Sequence, residues 1–280
     1  MRNWAGLTAY IIYTKTLDRS ERLRNQLHSL GIKFKMVESI SYWSDKEVLD
    51  KLYKDSNFYK LTIGRDISLA EIGGSFGHQL VYKKIVASGE PWAIIFEDDA
   101  YLMQKDLPVE TFLSITKPTH INLAEHRRTI YSLRKKSNQL SRLIMPSTWA
   151  HAYMINLEAA RRYAKNFEIY GITSYPDWPY PQPKGIKYFI TNVEYFGQIN
   201  PGNKPTMTDE RLKIPMSSNS YSLVMPLSFI QLCKRIYHLV NLDFSLQDTF
   251  HHEVIIRCKV RGSSVIRKVG KVFQKFKSFD

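Results

Sequence analysis

The chain has 280 residues, 44% of them hydrophobic and 13% aromatic, enough for a substantial core in one large domain or two ordinary ones; that composition argues for a globular protein and excludes a minimal peptide scaffold. A net charge of +14 asks for anionic partners such as phosphates, nucleic acid or a membrane surface. Two cysteines, Cys233 and Cys258, exclude a disulfide framework and a structural zinc spacing, and they fit a reducing compartment.

The amino terminus, Met1 to Gly6, lacks a basic stretch followed by an apolar core, and no window approaches the roughly 20 apolar residues of a spanning helix, so a protein that is not secreted is expected. Leu7 to Tyr13 is a short apolar and aromatic run that reads as a strand. Leu17 to Leu30 carries apolar residues at helical spacing until Gly31 ends it, and Ile32 to Val37 alternates apolar with polar residues. The first forty residues therefore form a β-α-β unit of an α/β layered fold. A polar helical stretch follows around Ser44 to Lys54, then a helix over Ser68 to Ala87, which Gly89, Glu90 and Pro91 turn into the next strand.

That strand carries the most informative feature of the chain. Pro91 to Phe96 is an apolar run that ends in Glu97, Asp98 and Asp99. Three carboxylates cannot stay inside a buried strand without solvent or a cation, so the strand must deliver them to an edge. Acidic oxygens at the carboxyl end of a buried strand suit a hard divalent cation, which commonly bridges nucleotide phosphates. The competing reading is a strand that simply runs into an acidic surface turn.

Downstream, Thr119 to Ala124 reads as a strand. His126 to Arg142 holds six Lys and Arg and no acid, and reads as an exposed basic loop. Trp149 to Asn156 reads as a core strand, and Glu158 to Phe167 as a helix with Arg161, Arg162 and Lys165 on its polar face. Pro176, Pro179, Pro181 and Pro183 mark a loop that can carry function. The chain is expected to divide into a catalytic domain over 1–228 and a basic helical segment over 229–280. Within that segment Val265, Ile266, Val269, Val272, Phe273 and Phe276 share one helical face and Arg267, Lys268, Lys271 and Lys275 the other. Such a helix fits the plane of an anionic leaflet, or packs on the domain with a solvated basic face.

The order Tyr13 to Arg22, Leu69 to His78, Ile94 to Asp99, Ala152 to Asn156 and Tyr175 to Trp178 resembles the bacterial lipooligosaccharide glycosyltransferases of family 25. The resemblance spans residue 7 to about residue 220. It implies a GT-A-like, Rossmann-like nucleotide-sugar sheet flanked by helices. It also implies a divalent metal, Mn²⁺ or Mg²⁺, and inverting transfer of a sugar, often galactose from UDP-galactose, to a lipooligosaccharide or lipopolysaccharide acceptor. With the basic tail it implies a cytoplasmic enzyme peripheral on the inner face of the inner membrane.

Residue by residue, Asp99 is the first choice for metal ligation, with Glu97 sharing the metal or contacting the ribose. Asp98 is expected on the opposite strand face, orienting its neighbours. His78, Arg22 and Thr14 are the further candidates for contact with the donor, Arg22 having the alternative of locking its helix to the sheet. Glu71 is a weaker candidate. Inverting transfer needs a base for the acceptor hydroxyl, and Asp177, beside Trp178, leads Glu125 for that role. A late histidine ligand has no secure match; His251 and His252 lie in the divergent last quarter, and Ser217, Ser218 and Asn219 fit a family segment only loosely. The chain departs from the family at Lys15-Thr16, where Asn-Leu is common, and at Gly74 and Gly77, where a Cys and a Ser stand; a donor pocket of different shape is the expected consequence. Two other classes compete: a basic nucleic-acid-binding protein, for which no reader motif is present, and an inactive membrane-associated scaffold of the same fold.

Overall fold

The computed structural model describes residues 7–15, 18–41, 46–54, 65–124, 132–135, 139–143, 150–173, 183–199 and 214. The chain divides into Met1–Leu227 and Ser228–Asp280, and every described residue lies in the first unit. The expectations for the basic tail, the proline-rich loop, His251 and His252, and Ser217 to Asn219 fall outside the described residues.

Strand β1 (Thr8–Tyr13), helix α1 (Glu21–Ser29) and strand β2 (Lys33–Glu38) form the expected β-α-β unit, with β1 and β2 parallel. Helix α2 (Lys46–Leu52) precedes α3 (Leu69–Ser88), which leads into β3 (Trp92–Glu97). Then come β4 (Ala100–Leu102), α4 (Val109–Leu113), β5 (Thr119–Asn122), β6 (Ser132–Lys135), β7 (Leu140–Leu143), β8 (Ala152–Asn156), α5 (Leu157–Tyr170), β9 (Lys187–Thr191) and β10 (Phe196–Gln198). Eight strands make one mixed sheet in the order β2-β1-β3-β8-β5-β9-β7-β6, and β4 pairs with β10 in a separate two-stranded ribbon.

Side-chain alternation divides the core into two layers. Ala93, Ile95, Tyr153 and Ile155 face α3 and α5, whereas Ile94, Phe96, Ala152 and Met154 face α1 and α4. Both faces of β3 and β8 are covered, which is why these strands read as unbroken apolar runs. β1, β2, β3, β5 and β9 run the same way, with β8 reversed between β3 and β5, so five strands open their carboxyl ends on one edge. The tract 126–142 differs from its expected exposed loop: it contributes β6 and β7, with β7 antiparallel to β9 and β6 antiparallel to β7 at the edge of the sheet. Its charges misled because an edge strand tolerates, and often carries, basic side chains.

Helix α3 is fixed at both ends. Ser68 Oγ accepts from the Glu71 backbone N–H at 3.2 Å while a Glu71 carboxylate oxygen accepts from the Ser68 N–H at 2.8 Å, a reciprocal cap, and Gly89 ends the helix at φ +69°. Gly77 has a packing role that the sequence departure did not reveal. A Cβ there would meet Ile12 Cγ2 at 2.6 Å and Ser39 Oγ at 2.9 Å, so the glycine lets α3 lie directly on the end of β1.

Against the sheet lies an aromatic layer of buried Tyr153 and Tyr163 with the half-buried His120. His120 stacks on Tyr153 with ring centroids 4.5 Å apart and meets Tyr163 Oη through Nδ1 at 3.0 Å. Burial, with His78 adding a smaller push, drives His120 down to about 3. The unfolded chain therefore takes up this proton more readily than the folded one. The stabilisation from the neutral ring is fully present above pH 6.5 and is lost as pH falls from there towards 3, at about 1.4 kcal/mol per pH unit. Urea unfolding between pH 7 and pH 4.5 should show that slope, and His120→Phe, which keeps the stacked ring, should flatten it.

Candidate active site

β3 ends at Glu97, and the next two residues form a turn before β4. Asp98 and Asp99 therefore do not alternate across a strand as expected; both turn towards Arg19, in the segment that joins β1 to α1. Parallel pairing of β1 with β3 brings the two carboxyl ends side by side, with Ile12 opposite Glu97. Arg19 Nη2 donates to Asp98 Oδ1 at 2.7 Å and lies 3.1 Å from Asp99 Oδ2, and the Arg19 backbone N–H donates to Asp98 Oδ2 at 3.2 Å. Asp98 is thus held by two bonds and orients the turn.

Asp99 is anchored from the ribbon. Gln198 Nε2 donates to its Oδ2 at 3.0 Å, and its backbone carbonyl accepts from Ile199 N–H at 2.7 Å. Its other oxygen, Oδ1, is buried and has no hydrogen-bond partner among the described residues. An orphaned carboxylate oxygen costs about 1–3 kcal/mol, a cost that a partner at the mouth of the sheet would relieve. Burial, then the Glu97 charge, push Asp99 up to about 7, against the opposing pull of Arg19. Burial also pushes Glu97 up, but its contact with His78, aided by His151 and Arg19, more than offsets this and holds its carboxyl below the usual value. Neighbouring acids are thereby separated in character.

Glu97 stands 23% exposed at the edge, with its backbone N–H donating to His151 O at 3.0 Å. Behind it lies His78, 1% exposed, with Nε2 3.4 Å from Glu97 Oε1 and Nδ1 2.6 Å from Tyr153 Oη; Tyr82 Oη completes the chain at 2.8 Å from Tyr153 Oη. The structure puts His78 in contact with Glu97 from within the core. Arg22 is exposed on α1, its guanidinium 4.2 Å from the centre of the Tyr101 ring, so it ties α1 to β4 and does not join the acidic turn. Thr14, half-buried, follows β1 directly at the site edge. Glu71 is fully buried, seven residues before His78 in α3, and is gripped by Arg65 through two 2.8 Å bonds. Asp177 and Glu125 lie outside the described residues.

Among the described residues no three His, Cys, Asp or Glu side chains form a ready-made cation cage. Asp99 Oδ1, with Glu97 beside it, nevertheless fits the manner in which Mg²⁺-type ions are held, by one or two carboxylates, the remaining positions going to water and substrate phosphates. Arg19 and Gln198 were missed in the sequence. The only available signal was Arg19's position shortly after β1.

The sequence comparison places the chain among the glycosyltransferases. The family model described as glycosyltransferase family 25 (LPS biosynthesis protein) matches residues 7–177, and the chain belongs to that family. No match was found among curated proteins. Similar solved structures include a glycosyltransferase involved in the glycosylation of the major capsid of PBCV-1, at 10% identity over 66% of this chain and 82% of that one with a TM-score of 0.36. HddC from Yersinia pseudotuberculosis gives 14%, 69%, 93% and 0.33, and A197 from STIV gives 9%, 55%, 67% and 0.33 in the same order. At these TM-scores the likenesses carry no argument about this chain.

Proposed function

We propose that this family 25 glycosyltransferase moves a sugar, with inversion, from a nucleoside diphosphate sugar to a lipooligosaccharide or lipopolysaccharide acceptor, UDP-galactose being the first donor to test. The observation that carries the reading is the buried, unpartnered Asp99 Oδ1 at the carboxyl edge of the sheet. Asp99 and Glu97 would hold Mn²⁺ or Mg²⁺. Such an ion supplies Lewis-acid neutralisation of the charge that builds on the departing diphosphate. Asp98 fixes the turn through Arg19, and Gln198 keeps Asp99 aimed at the edge. The reading assigns proton removal from the acceptor hydroxyl to Asp177, with Glu125 as the alternate. The basic segment 229–280 is proposed to rest on an anionic leaflet at the inner face of the inner membrane. What supports this is the sequence pattern, with Val265, Ile266, Val269, Val272, Phe273 and Phe276 at one helical spacing and Arg267, Lys268, Lys271 and Lys275 at the other.

The direct test is a panel of nucleotide sugars incubated with the full chain, with Mn²⁺ or with chelator, scored for nucleotide release. That background hydrolysis needs no acceptor. Release from one sugar, lost with chelator, is the expected result, and no release from any sugar in the presence of Mn²⁺ would contradict it.

A further inference from the structure

Arg19 is a cation sitting where the reading above puts another cation, and its contacts are uneven. It holds Asp98 through both a side-chain and a backbone donor, at 2.7 and 3.2 Å, but touches Asp99 through one nitrogen and one oxygen at 3.1 Å. Its Nε is buried with no acceptor among the described residues, while Asp99 Oδ1 is buried with no donor. An unused donor and an unused acceptor in one site show a pair that does not satisfy itself. The Arg19 side chain is 21% exposed, so it is not sealed from solvent. Its planar fork matches the paired oxygens of a phosphate as well as it matches a carboxylate.

Two consequences follow from charge alone. A divalent ion at Asp99 Oδ1 would stand next to Arg19 and be repelled by it, so Arg19 weakens cation uptake by the empty site. An incoming diphosphate offers Arg19 new acceptors and adds negative charge, which relieves that repulsion. Asp98 keeps Arg19 anchored throughout, because its two bonds do not involve Asp99. We propose that Arg19 is a donor-diphosphate contact that also guards Asp99, so that nucleotide and cation bind cooperatively. This rests on the cation reading of the acidic turn. By linkage the coupling is reciprocal: each ligand tightens the other by the same factor.

The test measures free Mn²⁺ by electron paramagnetic resonance during titration of the full chain, alone and with saturating UDP or, in a parallel series, GDP. In the parent protein one of the two nucleotides should tighten Mn²⁺ about tenfold or more, within the usual range of coupling. In Arg19→Gln, Mn²⁺ alone should bind about tenfold more tightly, the nucleotide alone about tenfold more weakly, and the coupling should fall several-fold, to what direct contact between Mn²⁺ and the diphosphate supplies. Arg19→Lys, which keeps the charge and loses the fork, should bind Mn²⁺ alone as the parent does and still lose nucleotide affinity several-fold. A folded Arg19→Gln with parental affinity for both ligands would overturn the proposal and leave the cation reading standing. Should Arg19→Gln not fold, parental nucleotide affinity in Arg19→Lys would overturn it equally. No Mn²⁺ uptake by the parent with either nucleotide would overturn the cation reading itself, and this proposal with it.

Discussion

Asp99→Ala is expected to lose sugar transfer about a thousandfold or more while unfolding within about 1 kcal/mol of the parent. The two halves of that expectation have separate causes. Asp99 offers the one buried carboxylate oxygen of the acidic turn that no described residue engages, so under the proposed function its removal would strip the site of its position for charge compensation at the diphosphate. The fold does not depend on it in the same way. Arg19 keeps its two bonds to Asp98, and the Ile199 N–H to Asp99 carbonyl bond is made by the backbone. The deletion also removes an acid that folding must desolvate beside Glu97. Nucleotide-sugar turnover and urea unfolding of the same preparation check both halves, and parental turnover by the variant would refute the assignment.

Glu71→Ala should produce the opposite pattern, a loss of about 3–5 kcal/mol in stability, or about 10 °C in melting temperature. Glu71 is 0% exposed and its carboxylate accepts from both terminal nitrogens of Arg65, itself 9% exposed, and from the Ser68 N–H. Truncation leaves a buried guanidinium without its carboxylate and opens the cap of α3. Because α3 also carries His78, loosening its first turn disturbs the support behind Glu97 as well. Glu71→Gln, which retains one acceptor oxygen and the side-chain volume, should lose less than Glu71→Ala. Equal unfolding midpoints for Glu71→Ala and the parent would show that the Arg65 grip contributes nothing.

The elements legible in the sequence were those with a strong period or an unbroken apolar run. β1, α1 and β2 announced themselves in this way, as did α3, β3, β8 and α5. β4 and β10 have three residues each and hold together by pairing with one another, which no local pattern reports. β6 and β7 were hidden by their charge, since Arg134 and Lys135 fall in the edge strand β6 and Arg142 in β7 beside it. Within the site, Glu97, Asp98 and Asp99 stood out because three acids after an apolar run conflict with burial. Arg19 did not stand out. Its meeting with them depends on β1 lying between β2 and β3, a crossover set by the whole sheet. His78 was noticed for its spacing, but its burial against Tyr153 became visible only once β8 was found beside β3.

Under the proposed function, the acidic turn at the end of β3 would hold a divalent cation that carries the diphosphate of an activated sugar. Crystals of the full chain grown with Mn²⁺ and the nucleoside diphosphate selected by the hydrolysis panel test it most directly through manganese anomalous scattering. The expected result is one strong peak in contact with Asp99 Oδ1 and with the diphosphate oxygens. A peak elsewhere on the chain, or none at saturating concentrations of both ligands, would contradict it.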